Sequence, residues 1–208
     1  FGHGGAHTRT NASGALHLVT TGGRIEFNAG IGVDDGDTEA YAMLGHGGYE
    51  ADGTYSGSIN VGSTSSATTF NGNAVTAGVI FRAGDRRDSF TQLGHGGSDS
   101  KSGAPGAANG NDGSITLATA GDIVFAAGTA TETAATNEDH QLYALLGHGG
   151  YNADPFGNDT QVAGTGHTGD INVSSSAGSI SFFGGSVANT GIGGGEGRTH
   201  FAQLGHGG

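Results

Sequence analysis

The sequence predicts an all-β fold: a right-handed parallel β-solenoid with three short strands per coil. Two observations favour it: a pentapeptide, Leu-Gly-His-Gly-Gly, recurs along the chain, and each repeat contains three short segments of alternating apolar residues. A helical bundle is disfavoured because 45 of the 208 residues are Gly, and Gly costs about 1 kcal/mol relative to Ala inside a helix. Collagen is excluded, since Gly does not occupy every third position and only two residues are Pro.

The pentapeptide divides the chain into repeats. Successive copies lie 43, 49, 53 and 58 residues apart, so the predicted solenoid uses one repeat of 43–58 residues per coil. The copies begin at Phe1 (where Phe replaces Leu), Leu44, Leu93, Leu146 and Leu204. We interpret 1–208 as a single solenoid segment with the repeats 1–43, 44–92, 93–145 and 146–203, and with 204–208 starting the next repeat.

The first two strands of each repeat are bounded by Gly and alternate between apolar and polar residues, which predicts half-buried strands. The first strand, with a polar residue such as His17 at its outward centre, has copies at 14–18, 57–61, 113–117 and 169–173. The second strand ends in Phe and has copies at 25–27, 79–81, 123–125 and 180–182. The second repeat has an extra insertion between these strands, which we interpret as a loop on a repeated scaffold.

The third strand leads directly into the pentapeptide. Its copies are 41–44, 90–93, 143–146 and 201–204. No repeat carries enough inward apolar residues for its own core, so stacking must align equivalent residues into columns about 4.8 Å apart. The predicted structural columns are Phe27, Phe81, Phe125 and Phe182, then Leu44, Leu93, Leu146 and Leu204, and lastly His46, His95 and His148.

The alternative fold is a β-propeller, whose blades also repeat about every 40 to 50 residues. Each blade needs four antiparallel strands, whereas the pattern here indicates three strands per repeat. Apolar residues at the outward positions Ile80, Val124 and Phe183 leave a separate question open. Either these residues pack laterally against another element or chain, or the strands are paired differently.

Composition excludes several function classes. The net charge of −12 argues against nucleic acid as a partner, because nucleic-acid binding relies on Lys and Arg. The absence of Cys excludes disulfides and thiolate metal sites. No stretch approaches the roughly 20 apolar residues of a membrane span.

The pentapeptide histidines are the first candidates for a site. Their column, His3, His46, His95, His148 and His206, is either a metal or pH site or a structural corner in which Gly permits a tight turn. The structural interpretation is favoured, because one His per repeat supplies no third ligand, and zinc takes three or four. The other histidines, His7, His17, His140, His167 and His200, share no register, and we expect them to be exposed to solvent.

The acidic run containing Asp34, Asp35 and Asp37 could bind calcium through its carboxylate oxygens, as could 109–113. Neither segment matches an EF-hand loop or a known calcium-binding repeat. Solvated loops are therefore the favoured interpretation, and no cofactor is expected. No catalytic constellation recurs along the chain, so we expect that the protein is not an enzyme.

The tandem units Gly-[Ser/Asp]-Ile-x-[Val/Leu], Ile-x-Phe and Ala-x-Leu-Gly-His-Gly-Gly resemble the repeat regions of large filamentous-haemagglutinin-like exoproteins of bacteria. The resemblance covers essentially the whole chain. It implies a right-handed parallel β-helix in a long secreted or surface-attached fibre, often with an adhesive role. The family's amino-terminal secretion domain and its Asn-Pro-Asn-Gly motif are not found here, so the chain looks like an internal slice.

These observations together predict a structural repeat segment of a long extracellular or cell-surface fibre, with loops that supply any adhesive contacts. The expected partners are further copies of its own repeat, within a longer chain or by end-to-end association, together with glycans or other surfaces. One alternative is the subunit of a filament or sheath assembled end to end. A second alternative, from a different class, is a carbohydrate-binding or carbohydrate-processing β-helix.

Overall fold

A computed structural model of the chain describes residues 1–21, 23–31, 40–63, 68–70, 73–75, 77–85, 88–100, 110–132, 141–151, 153, 166–189 and 200–207. The strands in these residues are β1 (Ala12–Ser13), β2 (Leu16–Thr20), β3 (Ile25–Asn28), β4 (Ala42–Leu44), β5 (Tyr55–Ser56), β6 (Ile59–Ser63), β7 (Thr68–Phe70), β8 (Asn73–Val75), β9 (Ala77–Arg82), β10 (Thr91–Leu93), β11 (Ile115–Thr119), β12 (Asp122–Ala126), β13 (Thr129–Glu132), β14 (Ala144–Leu146), β15 (Ile171–Ser175), β16 (Ile180–Phe183), β17 (Ser186–Asn189) and β18 (Ala202–Leu204). The described residues contain no helix, and hence none long and apolar enough to cross a membrane.

Three four-stranded sheets carry the fold. Their strand orders are β15-β11-β6-β2, β16-β12-β9-β3 and β18-β14-β10-β4. Every pair within these sheets is parallel and joins equivalent strands of consecutive repeats. The predicted all-β fold of stacked parallel strands is therefore confirmed. A propeller blade, by contrast, would pair antiparallel strands within one repeat.

The register places identical or similar residues above one another. Phe27, Phe81, Phe125 and Phe182 are consecutive partners in one sheet, and their rings stack with centroids 4.8, 4.9 and 5.2 Å apart. Parallel in-register strands favour such ladders, because each side chain meets its own equivalent one strand away. Leu44, Leu93, Leu146 and Leu204 form a second column in the same way.

The main core lies where the three sheets meet. It contains buried residues from all three, such as Ile115, Phe125 and Leu146, each fully buried. Burial weakens towards the last repeat, where Leu204 and Ile180 are 51% and 44% exposed. The central repeats are therefore covered on both sides by their neighbours, whereas the outer repeats are covered on one.

A second apolar cluster was not predicted. Phe90, Tyr143 and Leu145 are fully buried, and half-buried aromatic residues pack against them: Tyr41, Tyr49, Tyr151 and Phe201. Tyr49 and Tyr151 follow the pentapeptide, where backbone amides again bond to the next repeat, as from Glu50 to Ser98. The chain after each corner thus contributes a further packed layer.

More strands occur than the three per repeat that the sequence predicts. Two short parallel pairs, β1–β5 and β13–β17, join consecutive repeats, and β7–β8 form an antiparallel hairpin within the insertion of the second repeat. Pairs of two to four residues show too little alternation to stand out in a sequence.

At the outward apolar positions the strand pairing agrees with the alignment of the repeats in the sequence. Ile80 pairs with Val124, and Val124 pairs with Ser181. A different pairing therefore does not explain them. Ile80 is 1% exposed and Val124 is half-buried, so the fold itself covers this position in the central repeats. Phe183 alone is largely exposed, at 56%.

Replacement of Phe81 by Ala should lower the free energy of unfolding by about 3–5 kcal/mol, because a fully buried ring is lost between two stacked neighbours. Urea denaturation followed by circular dichroism measures the change. Phe183→Ala is the matched control, since its ring is mostly exposed and the cost should stay below about 1 kcal/mol. Equal losses of unfolding free energy in the two variants would contradict a buried column of Phe residues.

Candidate functional site

The pentapeptide forms a corner directly after β4, β10, β14 and β18. The histidine rings of successive corners stack face to face, with centroids 4.9 to 5.1 Å apart. His46, His95 and His148 are fully buried, whereas His3 is exposed and His206 is half-buried. All five candidate histidines therefore lie in one continuous column.

Each buried ring makes two hydrogen bonds to the backbone. Nδ1 of His95 accepts the amide N–H of His46 at 3.0 Å, and Nε2 of His95 lies 2.9 Å from the carbonyl oxygen of Gly57. The same pair of bonds recurs at the equivalent rings of His46, His148 and His206. A nitrogen facing an N–H must accept and a nitrogen facing a carbonyl must donate, so the buried rings of His46, His95 and His148 are assigned the neutral form protonated on Nε2.

These bonds give the imidazole a specific structural task. The Nδ1 bond joins one repeat to the next, and the Nε2 bond joins the corner to the glycine that precedes the first strand of the main sheets. One rigid side chain thus satisfies a buried amide, which would cost about 1–3 kcal/mol if it lacked a partner, and also binds a half-buried carbonyl.

The third residue of the first four Gly-His-Gly-Gly corners has a positive φ, which favours glycine. Gly96 has φ of 101°, a region that L side chains rarely adopt. A Cβ atom built there would lie 2.6 Å from Nδ2 of Asn111 and 3.3 Å from the Cα of Gly149. Tyr55 and His167 press against the equivalent glycines, Gly47 and Gly149.

Tyr55, Asn111 and His167 form a ladder of their own beside the histidine column. The amide of Tyr55 donates to Oδ1 of Asn111 at 3.2 Å, and the amide of Asn111 donates to Nδ1 of His167 at 3.0 Å. The expectation that His167 is exposed is wrong: the ring is half-buried because it lies against the corner. His200 is half-buried too, His7 and His17 are exposed, and His140 lies outside the described residues.

Burial makes the inner rings hard to protonate. Loss of hydration lowers the pKa of His95 to about 4 and that of His148 to about 3, although the glycine carbonyls oppose the shift. The neighbouring His95, His206 and His167 lower the pKa of His148 further, because charged rings at this spacing would repel. Burial also lowers the pKa of His167, to about 4.

The hydrogen bonds decide what the column can do chemically. Nδ1 of each inner ring already accepts a bond and Nε2 carries the proton, so neither nitrogen of His95 or His148 has a lone pair for a metal. Among the described residues no group of three or more His, Asp or Glu could hold an ion.

The acidic calcium candidates Asp34, Asp35 and Asp37 lie outside the described residues. In the second candidate segment, Oδ1 of Asn111 accepts the amide of Tyr55, and Oδ1 of Asp112 accepts the hydroxyl of Thr168 at 2.9 Å. These oxygens serve contacts between repeats. Sequence reasoning missed the role of Asn111, because its column combines three residue types.

No protein-family model, curated protein or solved structure matches this chain. The resemblance to filamentous-haemagglutinin-like exoproteins therefore stays a prediction, and the internal geometry of the repeats carries the functional argument.

Replacement of Gly96 by Ala should destabilise the protein by about 2 kcal/mol or more, because the backbone strain alone costs about 1–3 kcal/mol and the methyl group meets Asn111. Thermal unfolding measures the effect. Gly166→Ala is the matched control, since the glycine is exposed and has open space around its Cα. A Gly96→Ala protein as stable as this control would rule out a tight corner.

Stability should fall as the pH drops from 7.5 to 5.0. An unfolded histidine protonates near pH 6.5, whereas folded His95 and His148 stay neutral to about pH 4 and 3. Over this range the unfolded chain binds more protons, so each such ring removes up to about 1.4 kcal/mol of unfolding free energy per pH unit. Urea titrations at several pH values measure the slope.

Most carboxylates stay ionised above pH 5. The change in stability between pH 7.5 and 5.0 therefore reports on the histidine rings and not on the carboxylates. His95→Gln removes one of the rings with a lowered pKa and should reduce the dependence of stability on pH. Equal stability at pH 7.5 and 5.0 would contradict a neutral, buried column.

Proposed function

We propose that this chain is a structural repeat segment of a long extracellular or cell-surface fibre. In this proposal it folds as a right-handed parallel β-solenoid with one coil per repeat. Its role is mechanical: the stack supplies length and stiffness, and the variable loops supply adhesive contacts. The chain is not an enzyme, and its partners are further copies of its own repeat.

The single observation that carries the proposal is the shared bonding between repeats. Each inner repeat pairs three strands with the repeat on either side, and His95 and His148 tie neighbouring corners together. The main core is likewise assembled from all four repeats. Such a stack gains stability with each added unit, which suits a fibre.

The surface offers little support for the carbohydrate-binding alternative. Along the outward column of the first sheet, the described strands place His17, Asn60, Thr116 and Asn172. No Trp, Tyr, Phe or carboxylate recurs in this column, and sugar-binding or sugar-cleaving faces rely on such groups.

Cryo-EM of the native polypeptide that contains this segment tests the proposal. We expect elongated particles, a layer line near 4.8 Å and a backbone that winds right-handedly through successive corners. Compact particles without that spacing, or a left-handed path, would overturn it. A control on the isolated 208-residue chain should give the same strand spacing in a short particle.

A further inference from the structure

The strand β15 contains the tripeptide Asn172-Val173-Ser174. It matches the acceptor motif for N-linked sugars, in which Asn is followed by any residue except Pro and then by Ser or Thr. The motif occurs twice more, at 11–13 (Asn-Ala-Ser) and at 158–160 (Asn-Asp-Thr), and the latter copy lies outside the described residues. A motif of three residues also arises by chance, so its place in the fold decides whether it can carry a sugar.

The fold places the two essential side chains of the β15 motif on the same outer face. Alternate residues of a strand point to opposite sides of the sheet. Asn172 and Ser174 are exposed, whereas Val173 between them is half-buried and packs against the main core. The amide that would be modified and the hydroxyl that the motif requires therefore both face the solvent.

The accessibility of this outward position does not depend on Asn172 lying in the last repeat of the chain. Thr116 occupies the same position one repeat earlier and has a repeat on each side, with Asn60 and Asn172 as its partners. Thr116 is nevertheless only half-buried. A further repeat beside Asn172 would therefore still leave the outer side of its amide in solvent.

The neighbouring strand leaves room for a bulky group. In β11, the residues beside Asn172 and Ser174 are Thr116 and Ala118, whose side chains are short. No core residue has to move to admit a sugar on this face, because the sheet separates Asn172 from the main core. N-linked sugars are bulky and hydrophilic, and this surface meets both requirements.

The other described copy of the motif differs in its contacts. Oδ1 of Asn11 accepts the amide N–H of Thr54 at 2.9 Å. The side chain of Asn11 thus serves a contact between two repeats, and a sugar on its amide would lie against that contact. The structure therefore favours Asn172 over Asn11.

We propose that Asn172 is the attachment site of an N-linked sugar. Nδ2 of Asn172 forms a bond to C1 of the sugar and loses one proton, while the bond from C1 to the phosphate of a sugar-phosphate donor breaks. The phosphate leaves with the electron pair, so the transfer needs no oxidant or reductant. The donor and the transferase belong to the export route, so this inference rests on the proposed extracellular location.

The sugar is added before the repeats stack. In the folded protein, β15 is paired in register with β11 along its whole length, from Ile171 to Ser175. A transferase cannot take up a strand whose backbone is held in a sheet, whereas the unfolded chain is free to enter an active site. When β15 later joins the sheet, the exposed column keeps the sugar outside the core.

Mass spectrometry of the native exported polypeptide tests the proposal. The proteolytic peptide that contains Asn172 should be heavier by one or more whole sugar residues, and fragmentation should place the added mass on Asn172. Mild alkali, which releases sugars from Ser and Thr, should leave this mass in place. An unmodified Asn172, or sugar confined to Ser and Thr, would overturn the proposal.

A matched pair of variants tests whether the motif directs the sugar. Both are made in the full polypeptide and exported from the cells that produce it. Ser174→Ala retains Asn172 but removes the required hydroxyl, so the added mass should be lost. Ser176→Ala removes an exposed hydroxyl outside the motif and should retain the added mass. Equal modification of Asn172 in the two variants would contradict recognition through the motif.

Asn60 provides an internal control within the same sheet. It shares the outward column with Asn172 and is followed by Val61 and Gly62, so it lacks the hydroxyl and should carry no sugar. Gly62→Ser completes the motif, and the strand has room for it, since a Cβ atom there would lie 3.7 Å from its nearest neighbour. We expect a new sugar on Asn60. Its absence, in protein with a modified Asn172, would overturn recognition through the motif.

The possible results distinguish this inference from the fibre proposal. An unmodified Asn172 in elongated particles with the strand spacing of about 4.8 Å would overturn the sugar site and leave the fibre in place. A modified Asn172 in compact particles without that spacing would support the sugar site and overturn the fibre.

Discussion

The constraint on which the rest of the structure depends is parallel, in-register hydrogen bonding between repeats at the strand spacing of about 4.8 Å. At that spacing each residue meets its own equivalent, so large side chains must be able to stack and crowded backbone positions must be glycine. The Phe ladder meets the first demand. Gly96, with its positive φ and the side chain of Asn111 against it, meets the second. Many glycines of the described residues occupy such crowded or positive-φ positions.

Histidine suits the corner because its two nitrogens have opposite roles on one rigid ring. Nδ1 accepts the amide N–H of the preceding corner and Nε2 donates to a carbonyl, so one side chain satisfies a buried amide and a half-buried carbonyl. The role requires the neutral form, and burial beside other imidazoles favours that form. The hydrogen bonds leave His95 and His148 no free lone pair for a metal. Their low pKa values make them unsuited to proton transfer near neutral pH.

The sequence predicted the parts of the fold that repeat by residue type. Phe27, Phe81 and Phe125 could be aligned because the same residue recurs in the same strand. The ladder of Tyr55, Asn111 and His167 could not, since three chemically different side chains share a backbone position and only coordinates reveal it. Burial of Ile80 was equally hidden, because the alternation of its strand places it outward. The short pairs such as β13–β17 carry no pattern long enough to detect.

Burial of each repeat depends on the repeats that lie beside it, and this dependence connects the fold to the proposed role. His95 and His148 are fully buried between neighbours, whereas His3 is exposed and Leu204 is half-exposed. A repeat placed against an outer face therefore buries its own core residues and those of the face it covers. Each added repeat contributes more than the first, so a long array is more stable per repeat than a short one. The stability of such a molecule therefore increases with the number of repeats, which suits a long fibre.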